Sequence, residues 1–205
     1  MSQMTRKERD DLRKRQEILE TALEIFAARG FHGTTMAQIS KASQYPLGTI
    51  YKYFPGKQEM YHDLVIERVH DLGHILYDIS RDNDLDVCGK LKAALVAQAR
   101  FYKANQEVVK IYISERSNID AVAMPKLNER VNRLHDKMVT LFQDIFDQGA
   151  GEGRFKDYPS ADMAALFADI VHSAAWASLF REEDEAGMDQ RLSMIFNMFT
   201  HGVSK

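Results

Sequence analysis

Apolar residues return at helical spacing along almost the whole of this 205-residue chain. Ile18, Leu19, Ala22, Leu23 and Phe26 mark one face of a helix that begins before Arg15 and ends near Arg29, with Gly30 placed as a C-terminal cap. Thr35-Met-Ala-Gln38 has capping-box spacing and starts a second helix that runs to about Ser43. Pro46 cannot lie inside that helix, because it lacks an N–H and its ring clashes with the preceding turn. It fits the first turn of a new one, so a turn of about three residues leads into a short helix over roughly Leu47 to Phe54. Pro55-Gly56 ends that segment. A long helix then follows from Lys57 to about Ser80, carrying Met60, Leu64, Ile66, Val69, Leu72, Ile75, Leu76 and Ile79. Beyond a polar connection, further helices are expected over 87–104, 106–117, 125–148, 160–181 and 188–202. Asn105, Pro125, the Gly149-Ala-Gly-Glu-Gly153 run and Asp184 to Gly187 separate them. With no sustained strand-like alternation, the pattern predicts an all-α fold of about nine helices.

Two short helices joined by a tight turn and packed on a longer one make a helix-turn-helix, which offers its second helix to the major groove of DNA. Ile50 and Phe54, one turn apart, are the natural anchors. Gly48, Thr49, Lys52 and Tyr53 project elsewhere, with Tyr51 at the boundary. The hydroxyls of Thr49, Tyr51 and Tyr53 suit phosphates or base edges, Lys52 and Lys57 supply charge, and Gly48 permits close backbone approach. An ordinary pair of short bundle helices with half-buried tyrosines satisfies the same pattern.

Charge sharpens this picture. The net charge is -3, yet residues 1–57 carry 10 Lys and Arg against 6 Asp and Glu, while the remainder carries 17 against 24. A basic first quarter on an acidic body suits a polyanion partner at one end. The composition, 45% hydrophobic and 28% charged, is that of a globular protein. One cysteine, Cys88, excludes an intrachain disulfide and a multi-cysteine zinc site. The charged N-terminus lacks a signal-peptide core, and no apolar run is expected to span a bilayer, so a cytoplasmic protein without a membrane partner is expected.

The segment Arg15–Val65 resembles the N-terminal domain of TetR-family transcriptional regulators. The resemblance is carried by ILETALEIFAARGFHGTTMAQIS, by GTIYKYF over Gly48–Phe54, and by PGKQEMYHDL. It implies a DNA-binding domain over 1–57 and a helical ligand-binding and dimerisation domain over 58–205. It also implies that Leu47, Gly48, Thr49 and Tyr51 face bases, and that Thr35, Lys52, Tyr53 and Lys57 face phosphates. The usual Ala-Gly-Val-Ser turn is here Ser43-Gln44-Tyr45-Pro46. Gln44 in the glycine position costs backbone freedom if that position needs positive φ. Leu47 offers a thymine methyl only apolar contact, so specificity is expected to lean partly on DNA shape.

For the rest of the chain, the resemblance implies a small-molecule site and a homodimer through the last two helices. The residues themselves show helices apolar over more than one face, which must be covered on more than one side. Met163, Phe167, Ile170, Val171, Ala174 and Ser178, with Ile195, Met198 and Phe199, are therefore expected at a dimer interface. A fully internal helix in a monomer is the alternative. Polar or aromatic residues on otherwise apolar faces are the pocket candidates: Phe101, Tyr102, Tyr112, His135, Met138, Phe142, His172 and Trp176. Their aromatic and methionine character favours an apolar or planar ligand.

Other chemistry finds little footing. His70 and His74 share a helix face at metal-ligand spacing, but no third ligand lies near in sequence, and no metal or other cofactor is expected. Cys88 would sense oxidants only if exposed with a depressed pKa. There is no G-x-S-x-G, no H-E-x-x-H and no phosphate-cradling glycine loop, and Glu182-Glu183-Asp184-Glu185 reads as a solvated connection. No enzyme is expected. The expected function is a repressor released from a palindromic operator by a small effector, with the long fourth helix as lever. A ligand-independent DNA-binding protein of the same fold, with an architectural or cell-cycle role, is the alternative.

Overall fold

The computed structural model describes residues 4–109 and 125–203, and side chains outside 125–128. Its helices are α1 (Arg6–Arg29), α2 (Met36–Ser43), α3 (Leu47–Tyr53), α4 (Lys57–Arg81), α5 (Val87–Ala104), α6 (Pro125–Gly151), α7 (Ser160–Phe180) and α8 (Glu185–Val203). Residues 106–109 are helical too; the remainder of the helix expected over 106–117, including Tyr112, lies outside the described residues. Described residues up to Arg68 belong to one compact unit, and Val69–Gln106 with the described residues from Asn128 onward to a second. The expected boundary at 57 differs from this division, because Met60, Tyr61, Leu64 and Val65 of α4 are buried and Tyr61 packs edge-on to Phe26 of α1.

In the first unit, α1 starts well before its apolar pattern does. Thr5 and Glu8 form a capping box: the Thr5 amide donates to the Glu8 carboxylate at 2.7 Å and the Glu8 amide to the Thr5 hydroxyl at 3.2 Å. The helix ends at Gly30, whose φ of 70° and bond to the Phe26 carbonyl stop it. Ile18, Leu19, Ala22 and Phe26 meet Ile39, Ile50 and Phe54 in a core from which all seven are excluded from solvent. Arg15 fastens α1 to α4 through Glu67 at 2.6 Å and Asp63 at 2.8 Å, and its guanidinium lies over the Phe54 ring.

The second unit is built on α5, α6, α7 and α8. Its core holds Leu91, Leu95, Phe142, Phe146, Phe155, Met163, Phe167, Val171, Leu192 and Phe199. The phenylalanines touch edge to face, as between Phe142 and Phe167 at 5.1 Å. Gly149 lies inside α6 rather than in a connection, because α6 continues to Gly151. The Phe155 ring lies where a Cβ at Gly149 would stand, at 2.2 Å, so only glycine admits the ring. Contrary to expectation, α7 is long and apolar enough to cross a bilayer by length and composition; in this fold it is a core helix, with Met163, Ala164, Phe167, Ala168, Val171, Ala174, Ala175 and Ser178 buried.

Candidate nucleic-acid interface

The α2–α3 pair is shaped by local bonds. At the start of α2 the Thr35 amide donates to the Gln38 side chain at 2.8 Å, and the Gln38 amide to the Thr35 hydroxyl at 3.3 Å. At its end Gln44 takes φ 59° and ψ 15°, the left-handed conformation that a glycine would adopt more cheaply. Ser40 donates to the Tyr45 carbonyl at 2.7 Å, and the Tyr45 hydroxyl to Glu17 of α1 at 2.5 Å. Pro46 occupies the N-cap position itself, one residue earlier than a first-turn proline, and its carbonyl accepts the Thr49 and Ile50 amides. Ile50 and Phe54 are fully buried.

With that face docked, Leu47, Gly48, Tyr51 and Lys52 are exposed, as is Thr35 at the start of α2. Leu47 and Tyr51 are 38% and 49% accessible, one turn apart beside Gly48 and Lys52. Lys52 has no ion-pair partner among the described residues, and a side chain at Gly48 would meet open space within the protein. Thr49 is half-buried.

Two of the residues expected at phosphates hold the unit together instead of standing free. The Tyr53 hydroxyl donates to Asp11 of α1 at 3.0 Å, and burial together with that bond pushes its phenol above the ordinary value. Lys57 donates to the Phe31 carbonyl at 2.6 Å and lies 4.4 Å from the centre of the Phe31 ring. Tyr53 and Lys57 thus brace the frame in which α3 sits. Asp11 and Phe31, their partners, carry no sequence signal for this.

In the second unit the expected interface residues separate into two sets. Met163, Phe167, Val171, Ala174 and Ser178 are buried in the chain's own core, and Phe199 is 8% accessible, so they are not the surface a second copy would meet. The outward stripe is Leu166, Ile170, Ser173 and Ala177 of α7, beside Met194, Ile195 and Met198 of α8. Leu166, Met194 and Met198 are 55%, 55% and 71% accessible. Leu166 and Met194 were missed because burial alone, read from periodicity, does not say which face is already taken.

Of the pocket candidates, Phe142 is buried core against Phe167. Phe101, Tyr102, His135, Met138 and Trp176 are half-buried, and His172 is exposed. Tyr102 and His172 meet through hydroxyl and Nδ1 at 3.1 Å, and Trp176 continues the row 6.2 Å from His172, with Phe180 5.7 Å further. One turn before Tyr102, Gln98 is 6% accessible, a polar side chain on an otherwise largely apolar stretch of α5. Sequence pattern passed over it because a single Gln in an apolar helix looks like noise.

Other candidates resolve simply. His70 and His74 are exposed, and no group of three or more His, Cys, Asp or Glu gathers for a metal among the described residues. Cys88 is half-buried and its thiol is pushed up, first by burial and then by Asp86, the opposite of a reactive thiolate. Glu183 is not the solvated residue expected, being held by Arg191 at 2.6 Å with both side chains largely covered.

Comparison with known proteins agrees with this geometry. Residues 18–64 match the family described as bacterial regulatory proteins, tetR family. The HTH-type transcriptional regulator LuxR of Vibrio harveyi is 24% identical over 91% of this chain and 89% of its own. The HTH-type transcriptional repressor KstR2 of Rhodococcus jostii (strain RHA1) is 25% identical over 81% of this chain and 78% of its own. The ketosteroid transcriptional regulator KstR2 of Mycobacterium tuberculosis shares the fold, with a TM-score of 0.68 at 22% identity over 93% of this chain and 95% of that one. The matched segment holds both helices of the α2–α3 pair and their buried anchors, so the N-terminal part of the chain is similar to the tetR-family DNA-binding domain, and the relatives similar over most of the chain's length are named as transcriptional regulators.

Proposed function

We propose that the chain is a cytoplasmic repressor that binds a palindromic operator as a homodimer and is released by a small apolar or planar effector. The observation that carries the reading is α3 itself: its anchors Ile50 and Phe54 are sealed while Leu47, Gly48, Tyr51 and Lys52 stand open beside Thr35. In this reading Leu47, Gly48, Thr49 and Tyr51 meet base edges, Thr35 and Lys52 meet phosphates, and Tyr53 and Lys57 orient the helix as well as adding charge nearby. A stripe at i, i+4, i+7 and i+11 on α7, joined by Met194 and Met198, supports a two-fold contact with a second copy. Two reading heads about 34 Å apart then match one turn of duplex.

Phe101, Tyr102, Met138, His172 and Trp176, with Gln98 added, support an effector with an apolar or planar body and a hydrogen-bonding group. A relative described as a ketosteroid regulator points the same way. Effector binding favours a state in which α4 carries the heads off operator spacing. Gel-shift titration against fragments selected from random duplexes tests the reading. Selection of a two-fold sequence, loss of binding in Tyr51→Ala and Lys52→Ala, and release by a compound that raises the melting temperature are the expected results. Selection of no sequence, or a stabilising compound that leaves DNA affinity unchanged, would overturn the corresponding part.

A further inference from the structure

The start of α1, ahead of the Asp11 and Arg15 bonds that fasten it, has no role in the core. No residue of the helix is buried before Ile18, yet the helix begins at Arg6 and is closed by a full capping box. A polar helical extension of this length gains little from packing, since isolated short helices are marginal in water. Its start is not an anion site, because Thr5 and the Glu8 carboxylate already occupy the terminal amides. What the extension presents is side-chain charge.

That charge is unevenly committed. Arg13 bonds Asp10 at 2.7 Å and Glu17 at 2.8 Å, and Lys14 bonds Asp10 at 2.7 Å. Asp10, shared by Lys14 and Arg13, is held down at about 2. Arg6, Lys7 and Arg9 are exposed and have no ion-pair partner among the described residues. Their position follows from two bonds to the reading head. Tyr45, just before α3, reaches Glu17, and Tyr53, the last residue of α3, reaches Asp11. The recognition helix therefore lies along residues 11–17 of α1, and the next turn continues past its C-terminal end. Lys7 is one turn, about 6 Å, beyond Asp11 on the same face.

We propose that Arg6, Lys7 and Arg9 form a phosphate-binding arm that grips the duplex backbone beside the groove entered by α3. The inference rests on the DNA-binding reading above and extends its footprint. Arg and Lys at this position meet phosphates rather than base edges, so the arm adds affinity without sequence preference. Each phosphate neutralised contributes about 0.9 to the slope of log affinity against log salt.

The test compares the full chain with the triple variant Arg6→Gln, Lys7→Gln, Arg9→Gln on the selected operator and on a random duplex, from 50 to 300 mM salt. The expected result is a slope flatter by about 1–3 per protomer, weaker binding to both duplexes by a similar factor, and an unchanged preference for the operator. Circular dichroism and melting temperature should match the wild type, since none of the three side chains has a partner to lose; Arg6→Lys, Arg9→Lys should retain the wild-type slope. An unchanged slope in a folded variant, with the wild type binding its operator, overturns the arm and leaves the reading head intact. A wild type that binds no duplex overturns both.

Discussion

Arg191 and Glu183 close the connection between α7 and α8. The guanidinium donates from Nη2 at 2.6 Å and from Nε at 3.1 Å to one carboxylate oxygen, and from Nε at 3.2 Å to the other. The same Nη2 reaches the Ser178 hydroxyl at 2.6 Å, and Lys103 of α5 donates to the Glu183 carbonyl at 3.0 Å. Four acidic residues in a row suggested only solvation. The ion pair depends on a residue eight positions later, on the second turn of the next helix, and only the fold brings the two together.

This pair predicts a pH dependence. Arg191 holds the Glu183 carboxyl below its usual 4.5. The stability it contributes is complete above that value and is lost as pH falls through the lower folded value. At neutral pH, Glu183→Gln should cost about 1–3 kcal/mol in urea unfolding, as a charge-assisted bond weakens. The two unfolding curves should converge as the pH is lowered below about 4. Parallel loss of stability in both proteins would show that Glu183 does not carry the effect.

At Gln44 the backbone conflicts with its side chain. Its φ of 59° is the one positive value at a non-glycine among the described residues. Gln44→Gly should stabilise the first unit by about 1 kcal/mol, the left-handed penalty outweighing the greater freedom of the unfolded chain. Thermal melting measures this directly, and a destabilised variant would mean that the Gln side chain makes a contact worth more than the strain.

The turn at Gln44 was legible in the sequence because proline and the capping box left the chain no other route. Ile50 and Phe54 were legible for a similar reason: a seven-residue helix and its C-cap have room for one buried pair. The start of α1 was not, since the apolar pattern is silent about turns that bury nothing. The outward face of α7 was not legible either. When a helix is apolar all round, periodicity cannot say which face its own chain covers, and Met163 and Leu166 look alike until α5 is seen to pack on one of them.

Leu166 and Met198 test that distinction. Leu166→Asp or Met198→Asp places a charge on the outward stripe without touching the core, so helicity and melting should change little in a monomer. In the proposed dimer the charge would be buried unpaired, and sedimentation should show dissociation into single chains with loss of operator binding. A dimer that survives both substitutions would move the interface elsewhere.

Gln98 separates binding from stability. Replacing a largely covered amide by an apolar group of similar size should change stability by no more than about 1 kcal/mol in either direction. Gln98→Leu should therefore melt close to the wild-type temperature, yet need at least tenfold more effector for the same stabilisation. If Gln98→Leu responds to the effector as the wild type does, the pocket assignment loses its polar anchor.

Gly48 sets folding against recognition most sharply. Nothing in the protein occupies the space where its Cβ would stand, and it lies in the first turn of α3, where alanine is the better helix former. Gly48→Ala should raise the melting temperature slightly, by an amount equivalent to at most about 1 kcal/mol. If backbone at Gly48 approaches the duplex closely, the same methyl group must displace DNA, and operator affinity should fall tenfold or more while non-specific binding and its salt slope stay unchanged. Equal affinity for the operator would show that α3 sits further out of the groove, with Tyr51 and Lys52 spanning the gap.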